Sequence, residues 1–299
     1  MTPRLRRSIG LSLAAAAFLA TGLAVVGATA SEEQPPTWRV LVLNAGDFYM
    51  PGGVRQEQAM RSALAEHAPR RVEFRAEALD AATFDLGDYE PEVLALLRRK
   101  HRDVRFDLVV PMGTAALDFA ERHRAELWPG VPIVFFSVSE DLTRGHPFGS
   151  GVTGVTIAFD LQGTVDLAVR LQSSARRVVV VAGAAEYDKY WVPRVAEAIH
   201  RHPRLETTFL TGQPLDVMLR ELRAVPSDSI VIYASITRDG AGQPFVSAHI
   251  AERVAQVSPA PVYSFLEIYL GRGILGGSPR GRRAGHSARH RYRGVTAGN

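Results

Sequence analysis

Short apolar runs rich in Val, Ile, Leu and Phe alternate along most of the chain with longer amphipathic stretches. "RVLVLNAG" (39–46), "VEFRAEAL" (72–79), "FDLVVPMG" (106–113) and "VPIVFFSV" (131–138) predict four strands. Between them, "VRQEQAMRSALAEHA" (54–68), "DYEPEVLALLRRKH" (88–101) and "TAALDFAERHRAEL" (114–127) predict helices. The first turns Ala59, Ala63 and Leu64 inward, and Pro91 falls in the first turn of the second, where proline is tolerated. Residues 141–152, rich in Gly, Pro and polar groups, predict a linker. From "VTGVTIAFD" (152–160) a second series begins. Its predicted strands are "RRVVVVAG" (176–183), "LETTFLTG" (205–212), "SIVIYASI" (229–236) and "PVYSFLEIY" (261–269), with amphipathic helices between them.

Strands built as continuous apolar runs are buried on both faces, and alternation with helices makes the sheets parallel. The expected fold class is therefore α/β with two lobes, each a parallel sheet flanked by helices. Lobe one spans 38–150 and lobe two, with its crossover, 151–277. In open α/β sheets ligands bind outside the carboxyl ends of the strands, so the site is expected in a cleft between the lobes.

The loops at those strand ends supply the candidate residues. Asp47 and Tyr49 follow the first strand, Gly113 and Thr114 the third, and Ser139 the fourth. Thr114 is either a helix N-cap or part of a backbone N–H nest for a carboxylate or phosphate. In the second half, Glu186, Asp188 and Trp191 follow one strand, Thr237, Arg238 and Asp239 another, and Glu267 the last. Phe48, Tyr49, Tyr187, Trp191, Phe265 and Tyr269 would line the mouth and suit an aromatic or amino-acid ligand. Taken singly, Asp188 reads first as a helix cap and Arg238-Asp239-Gly240 as a surface turn; taken as a set, their clustering at strand ends favours a cleft.

The ends of the chain differ from its body. Arg4, Arg6 and Arg7 precede an apolar run from Ile9 to Val26 and the small-x-small sequence Ala28-Thr29-Ala30, which reads as a secretory signal peptide over 1–30. An uncleaved membrane anchor is the alternative reading. The expected location is periplasmic. At the other end, "SPRGRRAGHSARHRYRGVTAGN" (278–299) carries six arginines and no acid. Setting aside those six and the three leader arginines turns the formal +4 of the chain into −5 for residues 31–277. A mildly acidic body removes the main support for nucleic acid as a partner. With no cysteine in the chain, disulfides are excluded, and hydrophobic cores must carry the fold.

Several chemistries lack their motifs. There is no G-x-S-x-G elbow, no G-x-G-x-x-G after the first strand, no P-loop and no H-E-x-x-H. No catalytic residue, metal site or cofactor is expected. His200 and His202 lie two apart on a helix and do not share a face.

Taken together, "PGVPIVFFSVSEDL", "VTGVTIAFDLQGTVDLAVRLQ", "RRVVVVAGAAEYDKYW", "SIVIYASITRDGAGQPF" and "APVYSFLEIYLGRGILGG" resemble the ABC-transporter substrate-binding-protein-like family, over about residues 38 to 277. Its members have the type I periplasmic-binding fold. The resemblance is nearest to the extracytoplasmic input regions of sensor histidine kinases. It implies a protein that closes two lobes on a small-molecule ligand, serving an inner-membrane permease or a sensor kinase. The family's ligand loops match Gly113 and Thr114, Ser139, the "AEYD" stretch with Trp191, Thr237 to Asp239, and Glu267. Three functions follow: a solute-binding protein, a truncated periplasmic sensor domain, and a cleft hydrolase using Asp or Glu. One departure stands out. The family continues past Gly276-Gly277 with a segment that returns to lobe one, whereas the Arg-rich tail has no helix-length apolar face. The expectation is that the return segment is missing and the tail disordered, as a frameshift or truncation would leave it.

Overall fold

A computed structural model describes residues 37–46 and 51–277. The leader, Asp47 to Met50 and the tail lie outside the described residues. Two parallel sheets form, as the alternation predicts. The first runs through β1 (Trp38–Asn44), β2 (Val72–Ala78), β3 (Leu108–Met112), β4 (Ile133–Ser139) and β5 (Val152–Ile157), in the order β2-β1-β3-β4-β5. The second holds β6 (Arg177–Ala182), β7 (Glu206–Thr211), β8 (Ile230–Ser235) and β9 (Val262–Tyr263), in the order β7-β6-β8-β9. The orders correspond position by position. After β9 the chain extends the match: Leu275 N–H donates to Val262 O at 2.8 Å and Ser264 N–H to Gly276 O at 3.1 Å. Gly276 thus takes up beside β9 the place that β5 holds beside β4.

Two readings of the sequence need correction. Residues 152–157 do not open lobe two. β5 pairs with β4 from Ile133↔Val152 to Ser139↔Ile157, so the chain leaves sheet one only after Ile157. The stretch 141–152 misled because its Gly and Pro residues mark the turn of a crossover within one sheet. That turn follows a single helical turn, Glu140–Thr143. The inward face of the first helix is also rotated. In α1 (Pro51–His67), Met60 is buried and Leu64 half-buried, while Ala59 and Ala63 face solvent.

The central strands are apolar because both faces are covered: Val40 to Leu43 in β1 and Val178 to Ala182 in β6 are buried. Edge strand β2 alternates instead, with Glu73 and Arg75 exposed. Helix α2 (Glu90–Lys100) carries Glu90 and Glu92 in its first turn and Arg98, Arg99 and Lys100 in its last, each sign at the dipole end it stabilises. Together with α3 (Thr114–Leu127) it covers one face of sheet one through Leu97, Leu117, Phe119 and Ala120. Among the described residues the other face has α1 alone, and its buried cluster is small: Val40, Val42, Met60, Val110 and Met112.

Sheet two is covered more fully. Helices α5 (Leu161–Leu171) and α6 (Glu186–His200) contribute Val165, Ala168, Val195 and Ile199 to its core. Helix α7 (Leu215–Arg223) presents Leu215, Met218, Leu219 and Leu222 as one apolar stripe, joined by Ile250 and Val254 of α8 (Ser247–Val257). The four-residue Glu140–Thr143 helix is α4 in this order. Among the described residues no helix is long and apolar enough to cross a membrane.

Candidate functional site

Parallel pairing collects the ends of β1, β3 and β4 at one edge of sheet one. Ala45 N–H donates to Met112 O at 3.0 Å, and Gly113 N–H to Phe136 O at 2.8 Å. Gly113 has φ of 92°, and a Cβ there would sit 3.0 Å from Ala45 Cβ, so both conformation and space call for glycine. Gly113, not Thr114, is the N-cap of α3. Thr114 is the first helical residue and half-buried. Ser139 ends β4 and precedes α4 without capping it through its side chain.

Beside them is a polar group that the sequence reading passed over. Asn44 Nδ2 donates to Glu57 Oε2 at 3.2 Å, Arg61 Nε donates to Glu57 Oε1 at 2.8 Å, and Ser137 Oγ donates to Gln56 Oε1. Ser137 has φ of 58° where β4 shifts register against β5. A non-glycine held in that region stores backbone strain, which binding sites often carry. The signal available in sequence was Asn44 itself, a polar residue closing an otherwise apolar strand.

In lobe two, the candidates separate into inward and outward groups. Asp188 is 0 % exposed. Its carboxylate accepts Thr237 N–H at 3.0 Å, Arg238 N–H at 3.3 Å and Ala185 N–H at 3.3 Å, pinning the start of α6 to the loop after β8. Burial pushes its pKa up, opposed by hydrogen bonds from Ser235, Thr237 and Arg238, and burial prevails. Gly183 makes the approach possible: a Cβ there would lie 2.3 Å from Asp188 Oδ2 and 2.4 Å from Arg238 O. Asp239, 3 % exposed, accepts N–H groups of Leu215 at 2.9 Å, Ala241 at 3.0 Å and Gln243 at 2.9 Å. It caps α7 and holds its own turn together. Trp191, 3 % exposed, packs edge-on to Phe159 at 4.8 Å and tilted against Phe265 at 4.9 Å. Phe265 and Tyr269 are core residues too. Burial pushes the Tyr187 hydroxyl up to about 12. Of the described aromatics, Trp191, Phe265 and Tyr269 are therefore interior to lobe two, where a lined mouth was expected, and Tyr187 is half-buried. Glu186 remains exposed and pairs with Lys189 at 2.8 Å; Glu267 is exposed, and Arg238 half-buried. Asp47, Phe48 and Tyr49 lie outside the described residues.

Under this loop runs a second buried network. Ser247 Oγ accepts Ile236 N–H at 2.9 Å and lies 2.8 Å from both the Tyr233 and Tyr269 hydroxyls. Thr237 joins the two lobes. It is 2 % exposed, and its Oγ1 donates to Ala82 O, in the loop after β2, at 2.7 Å. Helix α1 also approaches the 3-10 turn Glu267–Tyr269. The carboxyl ends of the two sheets thus face each other across a direct contact. A groove of about 590 Å³ lined by Glu121, Arg124, Gly130 and Ser150 lies elsewhere, at the amino ends of β4 and β5. Its Arg124 guanidinium is bound to Val131 O and Ser150 O, which gives it a structural task. Among the described residues no group of three or more His, Asp or Glu gathers to hold a metal.

No family model matches the chain, and no curated protein matches it in sequence. Solved structures do match in fold. A conserved domain protein from Vibrio cholerae superposes with a TM-score of 0.58 at 15% identity, covering 81% of this chain and 79% of that one. An ABC domain in complex with L-Trp from Streptococcus pneumoniae gives 0.57 at 15% identity, covering 80% and 78%. A solute-binding protein of an ABC transporter from Rhodopseudomonas palustris, in complex with 3,4-dihydroxybenzoic acid, gives 0.50 at 12% identity, covering 76% of this chain and 61% of that one. The chain has the two-lobed α/β fold of ABC-transporter solute-binding proteins, the type I periplasmic-binding fold.

Proposed function

We propose that the protein is an extracytoplasmic solute-binding protein that closes its lobes on one small organic molecule, for delivery to a permease or presentation to a sensor. The observation that carries this reading is the contact of Thr237 with Ala82, which brings the carboxyl ends of both sheets together. A ligand that touches both lobes favours the arrangement in which they meet, by its differential contacts. Gly113, Thr114 and Ser139 from lobe one, with Glu186, Arg238 and Glu267 from lobe two, are the proposed ligand contacts. Asp47 and Tyr49 complete the proposed set. Binding is favoured over hydrolysis because Asp188 and Asp239 are committed to backbone N–H groups, which leaves neither as a general acid or base.

The ligands named for two fold neighbours, L-Trp and 3,4-dihydroxybenzoic acid, are both aromatic carboxylates. Aromatic amino and organic acids are therefore the first panel to screen. Native mass spectrometry of the purified protein, with thermal-shift screening of that panel and a broader metabolite set, tests the reading. A bound small molecule recovered unchanged supports it. An empty spectrum with no shift across the panel overturns it, and turnover of a bound compound would make the protein an enzyme.

A further inference from the structure

The amino ends of the sheet-one strands lie opposite the cleft, and their charge is lopsided. Trp38 N–H donates to Arg71 O at 2.8 Å, Asp107 N–H donates to Arg39 O at 2.9 Å, and Arg39 N–H donates to Asp107 Oδ2 at 2.8 Å. These bonds set Arg39, Arg70 and Arg71 side by side with the connection that carries Arg102 and Arg105 into β3. All five side chains are exposed. None forms an ion pair with an acid among the described residues, although Asp103 and Asp107 share the face. Elsewhere on lobe one most basic groups of the helices are paired, Arg61 with Glu57, Arg98 with Glu126, Lys100 with Glu77 and Arg122 with Glu90, while Arg55 and Arg99 stand singly without an ion pair among the described residues. A cluster of unpaired guanidinium groups on an otherwise acidic body concentrates positive potential at one end of the molecule. Guanidinium forks match phosphate oxygens in pairs, which an ammonium does not.

The chain enters sheet one at this same end, at Trp38, and the apolar stretch Ile9–Val26 precedes it in sequence by a short polar connection. We infer that Arg39, Arg70, Arg71, Arg102 and Arg105 form a docking face for an anionic phospholipid surface, holding lobe one base-down on the membrane with its strand carboxyl ends turned outward. Basic side chains near an anionic bilayer add favourable binding that decays within a Debye length. Attraction through this face is therefore salt-sensitive and needs no inserted segment.

The test is co-sedimentation of the purified full-length chain with vesicles of phosphatidylglycerol mixed into phosphatidylcholine, against phosphatidylcholine alone, at low and high salt. The readout is the excess binding to the anionic vesicles, so that any attachment common to both vesicle types cancels. The expected result is an excess that high salt removes. It should fall about tenfold in the variant Arg39→Gln, Arg70→Gln, Arg71→Gln, Arg102→Gln, Arg105→Gln. It should persist when the tail residues Arg280, Arg282, Arg283, Arg289, Arg291 and Arg293 are changed to Gln instead. Circular dichroism confirms that the variants fold, and the salt dependence of the wild-type chain reads the face without any variant. No anionic excess, an excess unchanged in the five-site variant, or an excess abolished by the tail variant overturns the proposal. Binding to duplex DNA with no vesicle preference overturns it as well, in favour of a nucleic-acid surface.

Discussion

At the scale of single residues, Thr237 stands between the two lobes. Its hydroxyl, with one hydrogen to give, lies 2.7 Å from Ala82 O and 3.1 Å from Asp188 Oδ2, and the shorter contact is the one that crosses the lobes; its backbone N–H is held by Asp188. A hydrogen bond of this kind is worth about 1 kcal/mol net, enough to change the ratio of closed to open forms several-fold. Thr237→Val, which keeps the shape and removes the donor, is expected to enlarge the radius of gyration in small-angle scattering. Thr237→Ser is expected to leave it as in wild type. Equal scattering from both variants and wild type would show that the contact does not hold the lobes. Ser247 is the residue on which the buried network of lobe two converges. Ser247→Ala would leave Ile236 N–H and the Tyr269 hydroxyl short of a partner, while the Tyr233 hydroxyl keeps Ser247 O, at a cost of about 1–3 kcal/mol in denaturant unfolding. Residues of this type were hard to read from sequence. Asp188 and Asp239 have the composition of ligand groups, but partners distant along the chain convert them to caps and clasps. Only the fold brings residue 188 to 237 or residue 239 to 215.

At the scale of elements, packing separates the two lobes. Sheet two has helices contributing core residues from α5 to α8, whereas among the described residues one face of sheet one has α1 alone, with Phe136 packed against its small cluster yet half-buried. Fewer buried apolar contacts mean lower local stability. Hydrogen exchange is expected to be faster in α1, β4 and β5 than in β6, β8 and the helices around them, and uniform protection would contradict this. Where α2 meets α3, Glu90 binds Arg122 at 2.7 Å and His123 at 2.7 Å. Burial raises the Glu90 pKa, but the hydrogen bonds from His123 and Arg122 outweigh it and hold the carboxyl below its ordinary value. A lowered folded pKa stabilises the fold above the unfolded value, and that stabilisation is lost as pH falls through the folded one. Wild type should therefore melt above Glu90→Gln near neutral pH and converge with it below about pH 4. A gap that persists in acid would rule out the ion pair as its source. Elements such as α3, whose predicted and observed limits coincide at 114–127, were legible from periodicity. The face of α1 was not, because its small alanines and one methionine give nearly equal stripes on neighbouring faces.

At the scale of the whole molecule, the alternation of apolar runs and amphipathic stretches carried the architecture. It specified parallel sheets, and with them the edge where a ligand would bind. The lobe boundary escaped it because β5 returns to sheet one through a Gly- and Pro-rich turn indistinguishable by composition from a linker. Two opposed faces follow from the assembled chain: the strand carboxyl ends, where Thr237 meets Ala82, and the arginine-bearing amino ends of sheet one. The central claim is closure of two lobes on one small molecule. Small-angle scattering of the protein, with and without a saturating member of the aromatic-acid panel, tests it most directly. The prediction is a smaller radius of gyration with ligand and one molecule bound per chain by calorimetry. Saturable binding that leaves the scattering unchanged, or no binding by any compound in the panel, would contradict it.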